Sequence, residues 1–213
     1  MQRTCREESA PLPRLIDNDV AVTAAEAEVG PETIDACRRG DRAAFRTVYN
    51  AYKDRVFSIA LYTLHGNADL AADVTQQVFI KLMDRIASFR GDSEFSTWLY
   101  RLVTNACLDA QRRSKSRSLA VDSNVLETLP DPASLEKAFA RTQTAELVKR
   151  AVSALPSKLR LAMLLRYFEE LSYEEIAVAL NCSRGTVASR LNRGHRLLAK
   201  SLAHLRGTQG LEE

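Results

Sequence analysis

At 213 residues with 46% hydrophobic content, the chain can build one large core or two small ones, and a net charge of only +3 singles out no partner by itself. It holds no run of about 18 apolar residues, and its first forty positions are broken by Pro11, Pro13, Asp17 and Asp19. A membrane span and a secretory signal are therefore not expected, and the reading is a cytoplasmic chain. The cysteines (Cys5, Cys37, Cys107, Cys182) and histidines (His65, His195, His204) stand apart without zinc-ligand or catalytic spacing, so no metal, cofactor or nucleophile is expected.

The charge is unevenly placed. Residues 1–39 sum to −3, 40–118 to +4, 119–143 to −2, 144–206 to +6 and 207–213 to −2. The two basic segments are also the two with regular apolar periodicity, as two separate contacts with nucleic-acid phosphates would require.

In chain order, residues 1–30 are acidic and Ala-rich without a firm period and read as a frayed or disordered extension. Pro31 fits a first helical turn, Gly40 closes a short opening helix, and Asp41 can cap a second. That second helix carries Phe45, Val48, Tyr49, Tyr52, Val56 and Phe57 as one apolar stripe. His65-Gly66-Asn67 is a turn; Leu70, Val74, Val78, Phe79 and Leu82 mark a third helix, and a loop follows over residues 88–93. A fourth helix bears Phe95, Trp98, Leu99, Leu102, Val103 and Ala106, which brings the first domain, 31–113, to four helices. Trp98 lies within that stripe and reads as core before contact.

Residues 114–143 are polar and include Leu129-Pro130-Asp131-Pro132, which cannot continue a helix; they read as a flexible linker. The second domain, 144–206, reads as helix, helix, tight turn, helix, before a tail at 207–213. Leu155-Pro156 opens a helix with Leu161, Leu164, Leu165 and Phe168 in stripe, and Ser172 with Glu175 has capping-box spacing. Ile176, Ala177 and Leu180 face inward, a turn follows at Asn181-Cys182, and Ser183 caps a helix with Val187 and Leu191 inward. Small residue, short turn and second cap in this order make a helix-turn-helix. Helical pitch sets Arg184, Ala188, Ser189, Asn192, Arg193 and Arg196 on the solvent side, a face suited to a major groove, with Thr186 beside it. The fold class is thus all-α, two small helical domains on a flexible linker.

These motifs carry a family resemblance. Asp73-Val74-Thr75-Gln76-Gln77-Val78-Phe79, then Ser88-Phe89-Arg90-Gly91-Asp92, then Phe95-Ser96-Thr97-Trp98-Leu99-Tyr100-Arg101-Leu102 and Asn105 resemble region two of the extracytoplasmic-function sigma factors of the sigma-70 family. Leu171 to Ala177 and Gly185 to Leu191 resemble their region four. The resemblance implies a chain that mounts on core RNA polymerase, at the clamp and flap, and reads promoter DNA. It also implies an anti-sigma partner and no small-molecule substrate. Residue by residue it implies clamp binding through Asp73, Gln76, Gln77 and Phe79. Minus-ten capture falls to Ser88, Phe89, Arg90, Asp92 and Ser93, with Arg101, Asn105, Arg112 and Arg113 along the opening duplex. Minus-thirty-five reading falls to Arg184, Thr186, Ser189, Asn192, Arg193 and Arg196. Two departures are Ala188, where the family often has a basic residue, and Gly194, where Ala is more usual and whose presence is expected to loosen the reading helix. The rival readings are a helix-turn-helix regulator that works without polymerase and a nuclease with a DNA-binding tail.

Overall fold

The computed structural model describes residues 29–118 and 147–203, and every regular element among them is helical. The extension at 1–28, residues 119–146, which are most of the expected linker and the first three residues of the expected second domain, and the residues from 204 onward lie outside the described residues.

Local sequence chemistry sets each boundary in the first block. Helix α1 (Pro31–Arg38) begins on Pro31 and ends before Gly40, whose φ of 83° suits a residue without a side chain. Helix α2 (Arg42–Thr63) is capped by the Asp41 carboxylate, which accepts from the Ala43 amide at 2.8 Å. Asn67 does the same for α3 (Ala68–Arg85) through the Leu70 amide at 2.8 Å. A 3-10 turn at Ile86–Ser88 leads into the loop, and α4 (Phe95–Ser118) follows. Helix α4 therefore continues five residues past Arg113: the polar run Ser114 to Ser118, expected to begin the linker, is its last part.

Val48, Val56, Ile59 and Ala60 of α2, Val74, Val78 and Leu82 of α3, and Leu99, Val103 and Ala106 of α4 make the core of this block. Tyr49 departs from the expected stripe: it is 45% exposed and lies edge-on against Phe79 at 4.8 Å.

The second block holds four helices, one more than the reading of its pattern: α5 over residues 147–153, α6 (Ser157–Tyr167), α7 (Tyr173–Ala179) and α8 (Arg184–Ser201). The capping box forms as read: the Glu175 amide donates to Ser172 Oγ at 3.2 Å and the Ser172 amide donates to Glu175 Oε2 at 2.7 Å. Ser172→Ala is expected to lower stability by about 1 kcal/mol, seen as a reduced denaturant midpoint with an unchanged slope. A midpoint equal to that of the parent chain would show that α7 needs no cap.

Ile176 and Ala179, rather than Ala177 and Leu180, are the fully buried residues of α7. Phe168 also leaves the core; it is 44% exposed and rests against Tyr62 at 5.5 Å. Gly194, expected to loosen the end of α8, instead sits buried where α8 crosses α6. A Cβ there would stand 3.1 Å from Met163 Sδ and 3.2 Å from its Cγ, so the glycine permits a close helix crossing. Gly194→Val is expected to destabilise by about 1–3 kcal/mol through overpacking, read as a lower melting temperature. An unchanged melting temperature would show that Met163 gives way freely.

The blocks are packed together, in contrast to the loose tether that the sequence suggests. Helix α7 lies on α4, and the end of α2 meets α6. Along this seam Thr104 Oγ1 donates to the Ala179 carbonyl at 2.9 Å, and the Tyr100 hydroxyl donates to the Glu169 carboxylate. Arg160, 1% exposed, donates to the carbonyls of Tyr62 at 3.0 Å and Thr63 at 2.8 Å in the first block, and of Leu155 at 2.7 Å and Ser153 in its own.

Candidate nucleic-acid interface

Helix α8 presents the face that its pitch predicts. Ser183 Oγ accepts from the Thr186 amide at 3.2 Å, and Asn181, at a φ of 47°, makes the bend that directs α8 away from α7. Arg184, Ala188, Ser189, Asn192, Arg193 and Arg196 are all exposed, while Val187 and Leu191 on the opposite side are buried. Thr186 is half-buried, and its hydroxyl is within 2.9 Å of Ser183 Oγ, so its first duty is the cap. Ser189 Oγ donates to the Thr186 carbonyl at 3.0 Å. Asn192, Arg193 and Arg196 carry the long polar groups with reach into a groove, and Arg184 pairs with Glu174 of α7 at 3.1 Å, a solvent-exposed bridge. Nothing in the sequence pattern singles out that last pair, because the two residues are ten positions apart.

In the first block the structure divides the expected contacts in two. Phe89 was expected to offer stacking surface to a base, but it is 8% exposed and points inward. Its ring meets Phe95 at 5.7 Å and Trp98 at 5.4 Å, with the Arg38 guanidinium 5.5 Å from its centroid. Arg38 also donates to the Phe89 carbonyl. Aromatic burial of this size fixes the loop from below. Trp98, read as core before contact, is half-buried and packs on the same cluster, 5.9 Å from Phe95. Ser88 Oγ is engaged with the Arg85 carbonyl at 2.7 Å. Above this base Arg90 and Asp92 are exposed and Ser93 is half-buried, with Gly91 at a φ of 80° making the bend between them.

Helix α4 continues the polar surface with Arg101, Asn105, Arg112 and Arg113, all exposed. Arg112 bridges Asp109 at 3.1 Å, and Arg113 Nη2 reaches Gln77 Oε1 on α3 at 3.4 Å. On α3, Asp73 and Gln76 are exposed and Gln77 is half-buried, whereas Phe79 is 9% exposed and belongs to the core. The apolar surface lies one step on, at Ile80 and Met83, which are 52% and 56% exposed. Sequence reading missed both. The available signal was their position off the Val74, Val78, Leu82 stripe, where an apolar residue has no core to enter.

No group of three or more His, Cys, Asp or Glu able to hold a metal occurs among the described residues. No helix among them is long and apolar enough to cross a membrane. Burial pushes the Cys107 thiol up to about 12, and the Cys37 thiol also lies above its usual range, chiefly through burial.

A basic helix-turn-helix on one helical body and an exposed polar loop and helix on another are thus the two surfaces that the structure leaves open among the expected DNA contacts. Comparison with known proteins gives the family. Residues 48–117 match the model for Sigma-70 region 2, and residues 145–198 match that for Sigma-70, region 4. The RNA polymerase sigma-H factor of Pseudomonas aeruginosa is 35% identical over 84% of this chain and 96% of its own length. The ECF RNA polymerase sigma factor SigW of Bacillus subtilis is 33% identical over 81% and 96%, and the Escherichia coli ECF sigma-E factor 36% over 75% and 87%.

Among solved structures, the sigma factor RpoE of Bartonella quintana, in complex with the anti-sigma factor NepR, superimposes with a TM-score of 0.60 at 24% identity. That likeness covers 75% of this chain and 96% of the other. CnrH, in complex with the cytosolic domain of CnrY, gives 0.59 at 18% identity over 83% and 99%. The chain belongs to the ECF group of the sigma-70 family of RNA polymerase sigma factors, regulatory proteins that direct transcription initiation. The two matches in this order set aside a helix-turn-helix regulator that works without polymerase.

Proposed function

We propose that this sigma factor carries core RNA polymerase to promoters by three surfaces of its own. Helix α8 enters the major groove of the minus-thirty-five element with Arg184, Ser189, Asn192, Arg193 and Arg196, with Thr186 at its capped start. The loop apex at Arg90, Asp92 and Ser93 receives an unstacked minus-ten base, and Arg101, Asn105, Arg112 and Arg113 follow the phosphates beside it. The α3 surface of Asp73, Gln76, Gln77, Ile80 and Met83 docks on the polymerase clamp.

The observation that carries this reading is the exposure of these polar groups on two helical bodies while Phe89 and Phe95 beneath the one face, and Val187 and Leu191 beneath the other, are buried. Nucleotidyl transfer belongs to the polymerase, and this chain acts as a positioning factor and not as an enzyme, in the cytoplasm where transcription proceeds. An anti-sigma protein would regulate it by covering the same surfaces. Reconstitution of the full chain with core polymerase on a promoter template tests the assignment: promoter-specific run-off transcripts support it. Failure of the chain to bind core polymerase would end it.

A further inference from the structure

Helix α1 stands before the stretch that matches Sigma-70 region 2, which begins at residue 48, and none of its residues belongs to the DNA and polymerase surfaces given above. It is nevertheless tied to the loop over residues 88–93. Ile34 and Cys37 are buried and seat the helix on the first block, where it lies against the 3-10 turn Ile86–Ser88. From this seat Arg38 reaches a residue 51 positions away and holds it twice: Nη2 donates to the Phe89 carbonyl, and the guanidinium stands 5.5 Å from the Phe89 ring centroid. The other nitrogen, Nη1, donates to Asp35 Oδ1 at 2.7 Å, one turn back on α1. A planar guanidinium held at both nitrogens has little freedom to swing away.

The place of that carbonyl gives the contact its consequence. The Phe89 amide donates to the Ile86 carbonyl at 3.1 Å. Among the described residues, none from 90 to 93 donates or accepts a backbone hydrogen bond, and the backbone is tied again at Glu94, whose carbonyl accepts from the Trp98 amide at 3.1 Å. Burial of the Phe89 ring against Phe95 and Trp98 fixes where the residue sits but not how the peptide after it is turned. Rotation about the Phe89 ψ, which stands at 115°, swings the 89–90 peptide plane and with it the start of the apex that carries Arg90 and Asp92. The carbonyl of that peptide is the atom that Arg38 holds. A charged donor makes this a stronger bond than a neutral pair, while the 34% exposure of the Arg38 side chain keeps its effect moderate.

We propose that Arg38 is a positioning residue for minus-ten recognition: braced by Asp35, it fixes the 89–90 peptide and so presents the apex of Arg90, Asp92 and Ser93 in the arrangement that receives a base. It acts through the loop and not by touching DNA. The inference rests on the promoter-reading function given above.

The test uses holoenzyme made with the full chain, unaltered or as Arg38→Met or Arg38→Lys. Methionine keeps an unbranched stem and donates nothing, whereas the lysine ammonium can still donate to the carbonyl. The probe is a promoter duplex that the unaltered holoenzyme transcribes, with the minus-ten non-template strand left single and made abasic at one position at a time. With the brace lost and about one loop in ten competent, Arg38→Met should bind the intact probe about tenfold more weakly. It should bind the probe lacking the captured base as the unaltered holoenzyme does, with base preference in the minus-thirty-five element unmoved. Arg38→Lys should recover most of the loss. Trp98, the single tryptophan of the chain, neighbours Phe89 and reports on the anchor: in the free chain its emission and the helicity should be alike in all three forms. Parental affinity and base dependence in Arg38→Met would overturn the brace, as would Arg38→Lys no better than Arg38→Met. A red-shifted Trp98 emission or lost helicity in Arg38→Met would also overturn it, by making Arg38 a support of the fold. An unaltered holoenzyme indifferent to every abasic position would instead sink the minus-ten reading, and the brace with it.

Discussion

Asn192→Ala combined with Arg193→Ala is expected to reduce promoter-specific transcripts at least thirtyfold while leaving association with core polymerase intact. Both side chains are exposed on α8, and neither supports the fold: the buried contacts of this helix come from Val187, Leu191 and Gly194. A well-placed bidentate contact to a base edge discriminates by about 1–3 kcal/mol, so losing two such groups amounts to roughly 2 kcal/mol at least. The single variants separate their roles. A group that reads bases relaxes sequence preference when removed, whereas a phosphate contact weakens binding evenly and flattens its salt dependence. Transcripts at parental level from the double variant would exclude α8 as the reading element.

The second large effect falls on polymerase binding. Ile80→Asp combined with Met83→Asp should lower the affinity for core polymerase by about a thousandfold, on the basis of roughly 2 kcal/mol for each central apolar contact at an interface. Folding should be little affected, because both side chains already face solvent. Co-elution of the chain with core polymerase measures the loss, and circular dichroism checks the fold. Retained co-elution with parental affinity would move the docking surface elsewhere.

Features governed by near neighbours in the chain were legible in the sequence. Asp41, Ser172 and Ser183, read as caps, all cap the helices that follow them, because a cap is decided within three residues, and Asn67, read only as a turn residue, does the same. The polar face of α8 was likewise legible, since it depends only on helical pitch and the buried positions of Val187 and Leu191. What the sequence concealed depends on distant neighbours. Phe89 looks like a loop aromatic free to stack on a base until Arg38 and Trp98 close around it. Gly194 looks like a weak point in a helix until Met163 is found against it. Arg160 did leave a trace: it lies four residues before Leu164, on the buried side of α6, where a charge needs partners. The identity of those partners, at the end of α2, lies 97 and 98 positions away.

The packing of Phe89 against Phe95 and Trp98 has a bearing on how promoter preference can diverge. Because the anchor is buried and the apex of Arg90, Asp92 and Ser93 is not, the proposed minus-ten receptor is preorganised: under that proposal an incoming nucleotide meets a shaped surface and little ordering entropy is lost on capture. Exchanges at the apex can then retune which nucleotide is accepted without eroding the scaffold, so selection can alter a regulon's consensus while stability is conserved.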